Sequence, residues 1–260
     1  MPTFLDNLPL TAFFALATAI VLVSIEAGFR HGRFRRHRFE DEKEGPVGAI
    51  VAATLGLLAF VLAFTFGLAA SRFDARRTVV VNEANAIGTT YLRAGLLPDN
   101  RAERIRPLLR DYVDSRLEVV QTGDIEQALQ RADELHRALW SEAEDVGRLY
   151  PESIVVGLYI EALNETIDMH ATRVLIALQG RIPLVLWGMI GIVTVLTMGG
   201  VGYFCGLSKS RRTPEVLVLA VTYSAILVLV ADLDRPREGL IQTSQQAMLD
   251  VRHMMDESTR

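Results

Sequence analysis

The chain has 260 residues, half of them hydrophobic, and a formal net charge of −4. That balance is too slight, and of the wrong sign, for a nucleic-acid binder, whose footprint is a basic patch. The single cysteine, Cys205, excludes an intrachain disulfide and any cysteine metal cluster.

The apolar residues concentrate in four blocks, and the rest of the chain is densely charged. A membrane span needs about 20 predominantly apolar residues, because a helix rises about 1.5 Å per residue across a core about 30 Å thick. The blocks Leu8–Ile25, Gly45–Ser71, Ile182–Ser208 and Thr213–Ala231 meet that length, the last with Glu215 near its start. No basic residue precedes Leu8, and a basic cluster follows the first block. A cleaved secretory signal has the reverse order, so the first block reads as a signal anchor.

The first loop, Arg30–Glu44, carries Arg30, Arg33, Arg35, Arg36, Arg38 and Lys43, and the loop after the third span carries Lys209, Arg211 and Arg212. Basic residues in short loops resist translocation, which places both loops in the cytoplasm. With four spans, the termini and the inserted segment then lie outside, in the periplasm of a bacterial inner membrane. Arg72, Arg76, Arg77, Arg235 and Arg237 weigh on the other side.

Residues 72–181 show helical spacing throughout. Phe73, Val80, Ala84, Ile87 and Tyr91 share one face until Gly95 and Pro98 end the helix, and Asp99 is placed to cap the next. That helix presents Ile105, Leu108, Leu109, Tyr112, Val113 and Leu117. Thr122-Gly123-Asp124 is a turn with a cap, followed by Ile125, Leu129, Ala132, Leu135, Leu139, Ala143 and Val146. A last helix runs from about Pro151 towards Gly180. One apolar face per helix favours antiparallel packing into a bundle.

The expected fold is therefore all-α: a polytopic membrane protein whose four transmembrane helices carry a helical bundle between the second and third spans. In numbers, a transmembrane hairpin covers 1–71 (spans about 8–26 and 45–71), and a soluble bundle covers 72–181. A second hairpin covers 182–232 (spans about 182–208 and 213–232), and a helical tail covers 233–260.

Two stripes on the second helix stand out. Ala49, Ala52, Gly56, Ala59, Ala63, Gly67 and Ala70 recur every three or four residues, a small-residue seam of the kind that lets helix backbones approach in lipid. Its partner is either this chain or another copy. Gly199, Gly200, Gly202 and Gly206 form a similar cluster on the third span. Thr54 and Thr65 lie opposite the seam, where each is expected to bond its own backbone. Beyond the span, Ser71, Thr78, Asn82, Asn85 and Thr89 line one face, polar but uncharged. They are either a hydrogen-bonded layer between bundle helices or a wet lining of an ion pathway, which selects by the donors and acceptors it presents.

Among ionisable residues, Glu26 and Arg30 are four apart and able to pair. Asp232, at the end of the fourth span, either guards an ion path or pairs with a nearby arginine. Glu161, Asn164, Glu165, Asp168 and His170 read as one solvated face. The five histidines, His31, His37, His136, His170 and His253, show no metal-ligand spacing, and no catalytic or nucleotide-binding motif is present. The expectation is a protein without enzymatic activity, cofactor or metal.

Two segments, VNEANAIGTTYLRAGLLP (Val81–Pro98) and DLDRPREGLIQTS (Asp232–Ser244), resemble signature stretches of the bestrophin-like family of bacterial membrane proteins. EAGFRHGR after the first span and LNETIDMHATR before the third agree. The motif residues are Glu83, Asn85, Gly88, Asp232, Asp234, Arg235 and Pro236. The resemblance implies the order of parts found in bestrophins, which are pentameric chloride channels with four spans per subunit and a pore lined by the second. DLDRPREG departs from their aspartate-rich Pro–Phe–Gly stretch, because Arg237 and Glu238 separate Pro236 from Gly239. The resemblance also implies cytosolic inserted helices, against the charge rule. The leading expectation is a homo-oligomeric anion channel in the lipid bilayer, with Thr78, Asn82, Asn85 and Thr89 on the ion pathway. The alternative is a sensory or scaffolding membrane protein with a periplasmic bundle.

Overall fold

The structure is a computed structural model that describes residues 8–38, 44–179, 181–208, 213–235 and 239–258. Lys43, Lys209, Arg211, Arg212, Pro236 and Arg237, which carried expectations above, lie outside the described residues. Among the described residues eight helices follow in order: α1 (Leu10–Arg38), α2 (Glu44–Ala94), α3 (Arg101–Thr122), α4 (Ile125–Leu149), α5 (Ile154–Gln179), α6 (Leu184–Leu207), α7 (Thr213–Asp234) and α8 (Gln246–Glu257). Among the described residues no strand occurs. Four helices, α1, α2, α6 and α7, are long and apolar enough to cross a membrane.

The chain divides into two compact units, Met1–Phe73 with Arg181–Ile241 and Asp74–Gly180 with Gln242–Arg260. α2 contributes to both without a break.

In the first unit the core joins α1, α2, α6 and α7 through Val21, Ile25, Leu58, Leu62, Ile190, Met198, Tyr223 and Leu227. Lipid supplies no hydrophobic drive for helix association, so backbone approach must hold the helices together. It does so between α1 and α6. A Cβ placed on Gly28 would fall under 3.0 Å from backbone atoms of Gly199 and Tyr203, and one on Gly202 under 3.0 Å from backbone atoms of Ile25. Gly32 and Gly206 meet the facing helix in the same way. The partner of Gly199, Gly202 and Gly206 is thus α1 from Ser24 through EAGFRHGR, while Gly200 faces Val51 on α2. Arg36 then donates to the carbonyls of Gly206 and Leu207 at the α6 C-terminus, 3.3 Å each, where free acceptors and the helix dipole favour a cation.

In the second unit α2, α3, α4, α5 and α8 enclose one core containing Ile87, Tyr91, Ile105, Leu109, Tyr112, Leu139, Val146, Tyr159, Leu163, Met248 and Met255. Gly123 takes a left-handed φ of 79°, and the Asp124 carboxylate accepts from the Gln127 N–H at 3.1 Å, so the turn forms as expected. Asp99 does not cap α3. It and Asn100 both adopt left-handed φ (58° and 53°), and its carboxylate accepts from the Tyr150 hydroxyl instead. Ile125 is 38% exposed and leaves the core to its successors on α4.

Candidate functional site

The seam and the polar stripe on α2 both face away from their own units. Ala52, Gly56, Ala59, Ala63 and Gly67 are exposed, and a Cβ on Gly56 or Gly67 would have nothing within 4 Å. Along the stretch from Ala52 to Gly67 the seam is thus open, whereas Ala70 beyond it packs in the cluster of Ala69, Ile182, Val230 and Leu233. Thr78, Asn82, Asn85 and Thr89 are likewise exposed. The hydrogen-bonded layer between bundle helices is made by different residues: the Thr90 hydroxyl meets that of Thr166 at 2.9 Å, fully buried. Within the span, Thr54 and Thr65 bond the carbonyls of Val51 and Val61, 3.0 and 2.8 Å away.

Behind the stripe, on the inward face of α2, lies Glu83, with no solvent exposure. A lone buried carboxylate is costly, so its partners decide what it can do. Tyr112 on α3 donates to Oε1 at 2.7 Å, and Arg116 Nε lies 3.2 Å from the same oxygen. Arg173 on α5 pairs with Oε2 and reaches Gln245 Oε1 at 3.2 Å with its other amino group. His170 Nδ1 stands 3.0 Å from the Tyr112 hydroxyl. Tyr112 has one proton and the carboxylate can only accept, so the His170 bond uses the Nδ1 proton of a neutral imidazole. His136 on α4 packs edge-on against His170, ring centroids 4.9 Å apart, and tilted against Tyr112 at 4.8 Å.

Burial and the Arg116 guanidinium push His170 down to about 4. Burial also lowers His136, and it raises Tyr112 well above the ordinary phenol range, with the Glu83 charge adding to the rise. The cluster thus holds two guanidiniums, one carboxylate and two neutral imidazoles. Among the described residues no group of three or more His, Cys, Asp or Glu could hold a metal.

The aspartates of DLDRPREG do two separate jobs. Asp232, 2% exposed, accepts from the N–H groups of Leu240 and Ile241 at 2.8 and 3.1 Å, which ties down the chain after α7. Asp234 accepts from the Ile182 N–H at 2.8 Å and lies 4.0 Å from Arg72. Arg235 donates to the Leu8 carbonyl at 2.6 Å. Backbone amides, not an arginine, are the partners of Asp232, whereas Asp234 is the aspartate that stands near one, Arg72. Gly88 is buried with room for a Cβ at ordinary contact, 3.7 Å from Val251 and 3.9 Å from Met254 on α8. Glu26 and Arg30 pair at 2.8 Å on an exposed face. His170 departs from the face of Glu161, Asn164, Glu165 and Asp168: those four are exposed and it is buried.

The Glu83 cluster escaped the sequence analysis, although a signal for it exists. Glu83, Arg116, His136 and His170 each occupy an apolar register position of their helix, next to Ala84, Val113, Leu135 and Thr166 turns that face the core.

Residues 12–248 match the bestrophin-like domain. Among solved structures, one described as a membrane protein P143A superposes with a TM-score of 0.70 at 14% identity, covering 96% of this chain and 98% of that one. A bacterial bestrophin homologue from Klebsiella pneumoniae, solved by Zn-SAD phasing, superposes with a TM-score of 0.66 at 15% identity, covering 95% and 97%. No curated protein matches the chain.

Proposed function

The chain belongs to the bestrophin-like family of membrane proteins, and from that premise we propose that it is a homo-oligomeric channel for inorganic anions. The observation that carries this reading is the outward face of α2. Four neutral polar side chains, Thr78, Asn82, Asn85 and Thr89, stand exposed along one face of α2, while Glu83 and Thr90 on the same stretch turn inward. Hydroxyl and amide groups supply donors that replace part of an anion's hydration shell without binding it tightly, which conduction requires. On the same helix the seam Ala52, Gly56, Ala59, Ala63 and Gly67 offers a surface that another copy can approach closely.

Purified protein is expected to run as a defined oligomer, and chloride-loaded liposomes are expected to discharge when it is inserted. A monomer that gives no flux in any common salt would sink the channel. Asn85→Leu is expected to change single-channel conductance or the chloride-to-nitrate permeability ratio several-fold. An unchanged current would return the stripe to an ordinary surface role.

By the charge rule the bundle faces the periplasm of the inner membrane. A Gln127→Cys variant in a Cys205→Ser background places one thiol at an exposed position on α4. It is expected to react with an impermeant maleimide in intact cells whose outer membrane has been permeabilised. Labelling only after lysis would put the bundle in the cytosol.

A further inference from the structure

Four helices of the second unit bring ionisable side chains into one buried volume. α2 supplies Glu83, α3 supplies Tyr112 and Arg116, α4 supplies His136, and α5 supplies His170 and Arg173. Asp133 on α4 adds a carboxylate charge felt by both histidines, and the segment before α8 adds neutral Gln245. Arg116 is 6% exposed, His136 8% and His170 7%, so solvent does not screen them from one another. Glu83 already answers to two guanidiniums and has no charge left for a third cation. We infer that this core is an acid-sensitive switch: protonation of His170 and His136 sets like charge against Arg116 and loosens the packing of α3, α4 and α5.

Tyr112 makes the coupling direct. Its hydroxyl joins His170 to Glu83, so a charged imidazole competes with Arg116 and Arg173 for the one carboxylate. The direction follows from His170, whose value of about 4 lies below the ordinary 6.5 of an opened chain. The open form therefore binds the proton first. The packed form is fully favoured above pH 6.5 and loses ground as pH falls towards 4. For His170 alone, the open population is expected to rise about 30-fold between pH 7.5 and pH 5. His136 adds in the same sense. The inference does not depend on ion conduction, because its readout is the packing of the bundle.

The test is backbone hydrogen exchange of the full-length protein in lipid nanodiscs at pH 7.5 and pH 5, corrected for intrinsic exchange rates. Peptides from 105–118, 130–145 and 160–175 are expected to lose protection about 30-fold and to regain it on return to pH 7.5. Peptides of α1 and α6 should hold theirs. A double variant, His136→Gln with His170→Gln, is expected to flatten the response; if it does not purify folded, His170→Phe replaces it. Equal wild-type protection at both pH values would overturn the switch. So would a loss shared equally by α1 and α6, or an undiminished response in the histidine variant.

Discussion

Glu83→Ala is expected to destabilise the helical bundle by about 3–5 kcal/mol, the range for stripping one partner from a buried charge network. The size follows from what remains. Arg116 is 6% exposed and the Arg173 side chain 11% exposed, and both lose the buried carboxylate they share at once. Tyr112 loses its acceptor as well. Since a domain holds about 5–15 kcal/mol in all, much of the protein should fail to reach the membrane folded. Thermal unfolding followed by size-exclusion chromatography in detergent measures this. Arg173→Met is the informative comparison. It leaves Glu83 with Arg116 and Tyr112, so its cost should be clearly smaller. If the two variants melt together with the wild type, the cluster is not what holds these helices.

Gly202→Val is the second large effect. Any Cβ at position 202 falls under 3.0 Å from the carbonyl oxygen, carbonyl carbon and Cα of Ile25, all backbone atoms with no rotamer to escape into. α1 and α6 would have to part by on the order of 1 Å, which forfeits dispersion along the whole contact. The expected cost is about 3 kcal/mol, the upper end for overpacking, because the obstruction is rigid. Gly56→Ala serves as the control, since a Cβ there has nothing within 4 Å in the chain. A melting temperature unchanged by Gly202→Val would mean that the two helices are not in backbone contact. Loss of oligomer with Gly56→Ala, at unchanged subunit folding, would identify the α2 seam as the surface between copies.

The spans and the helical faces were legible in the amino-acid sequence because each is a property of one segment. Hydropathy over about 20 residues finds a span, and 3.6-residue spacing finds a buried face. Leu109, Tyr112 and Val113 fell where periodicity put them. What stayed hidden depends on two segments meeting. Small residues on α2 and glycines on α6 look alike in sequence, yet Gly202 and Gly206 abut the backbone of α1 while a Cβ on Gly56 or Gly67 has nothing within 4 Å. Spacing records which side of a helix a residue occupies, not which helix lies opposite.

The ionic cluster was hidden for a related reason. Glu83 appeared as one letter of a family signature, and His170 as part of a polar face with Glu165 and Asp168. His170 follows Thr166 by four residues, and Glu83 precedes Ile87 by four, which is the inward register in both cases. A charged residue in an apolar register is the detectable mark. Its partners, 29 to 90 positions away for Tyr112 and Arg173, are not.

The place of α8 bears on how the protein is made. Met248 and Met255 are fully buried in the bundle core, and the Tyr91 hydroxyl donates to the Met255 carbonyl. The ribosome finishes α5 some 70 to 80 residues before it supplies Met255, about 4–15 s at ordinary elongation rates. Two membrane spans are synthesised in that interval. The nascent bundle must wait with its core unsealed until α8 emerges, which makes this window the one in which a chaperone or a protease has most access to it.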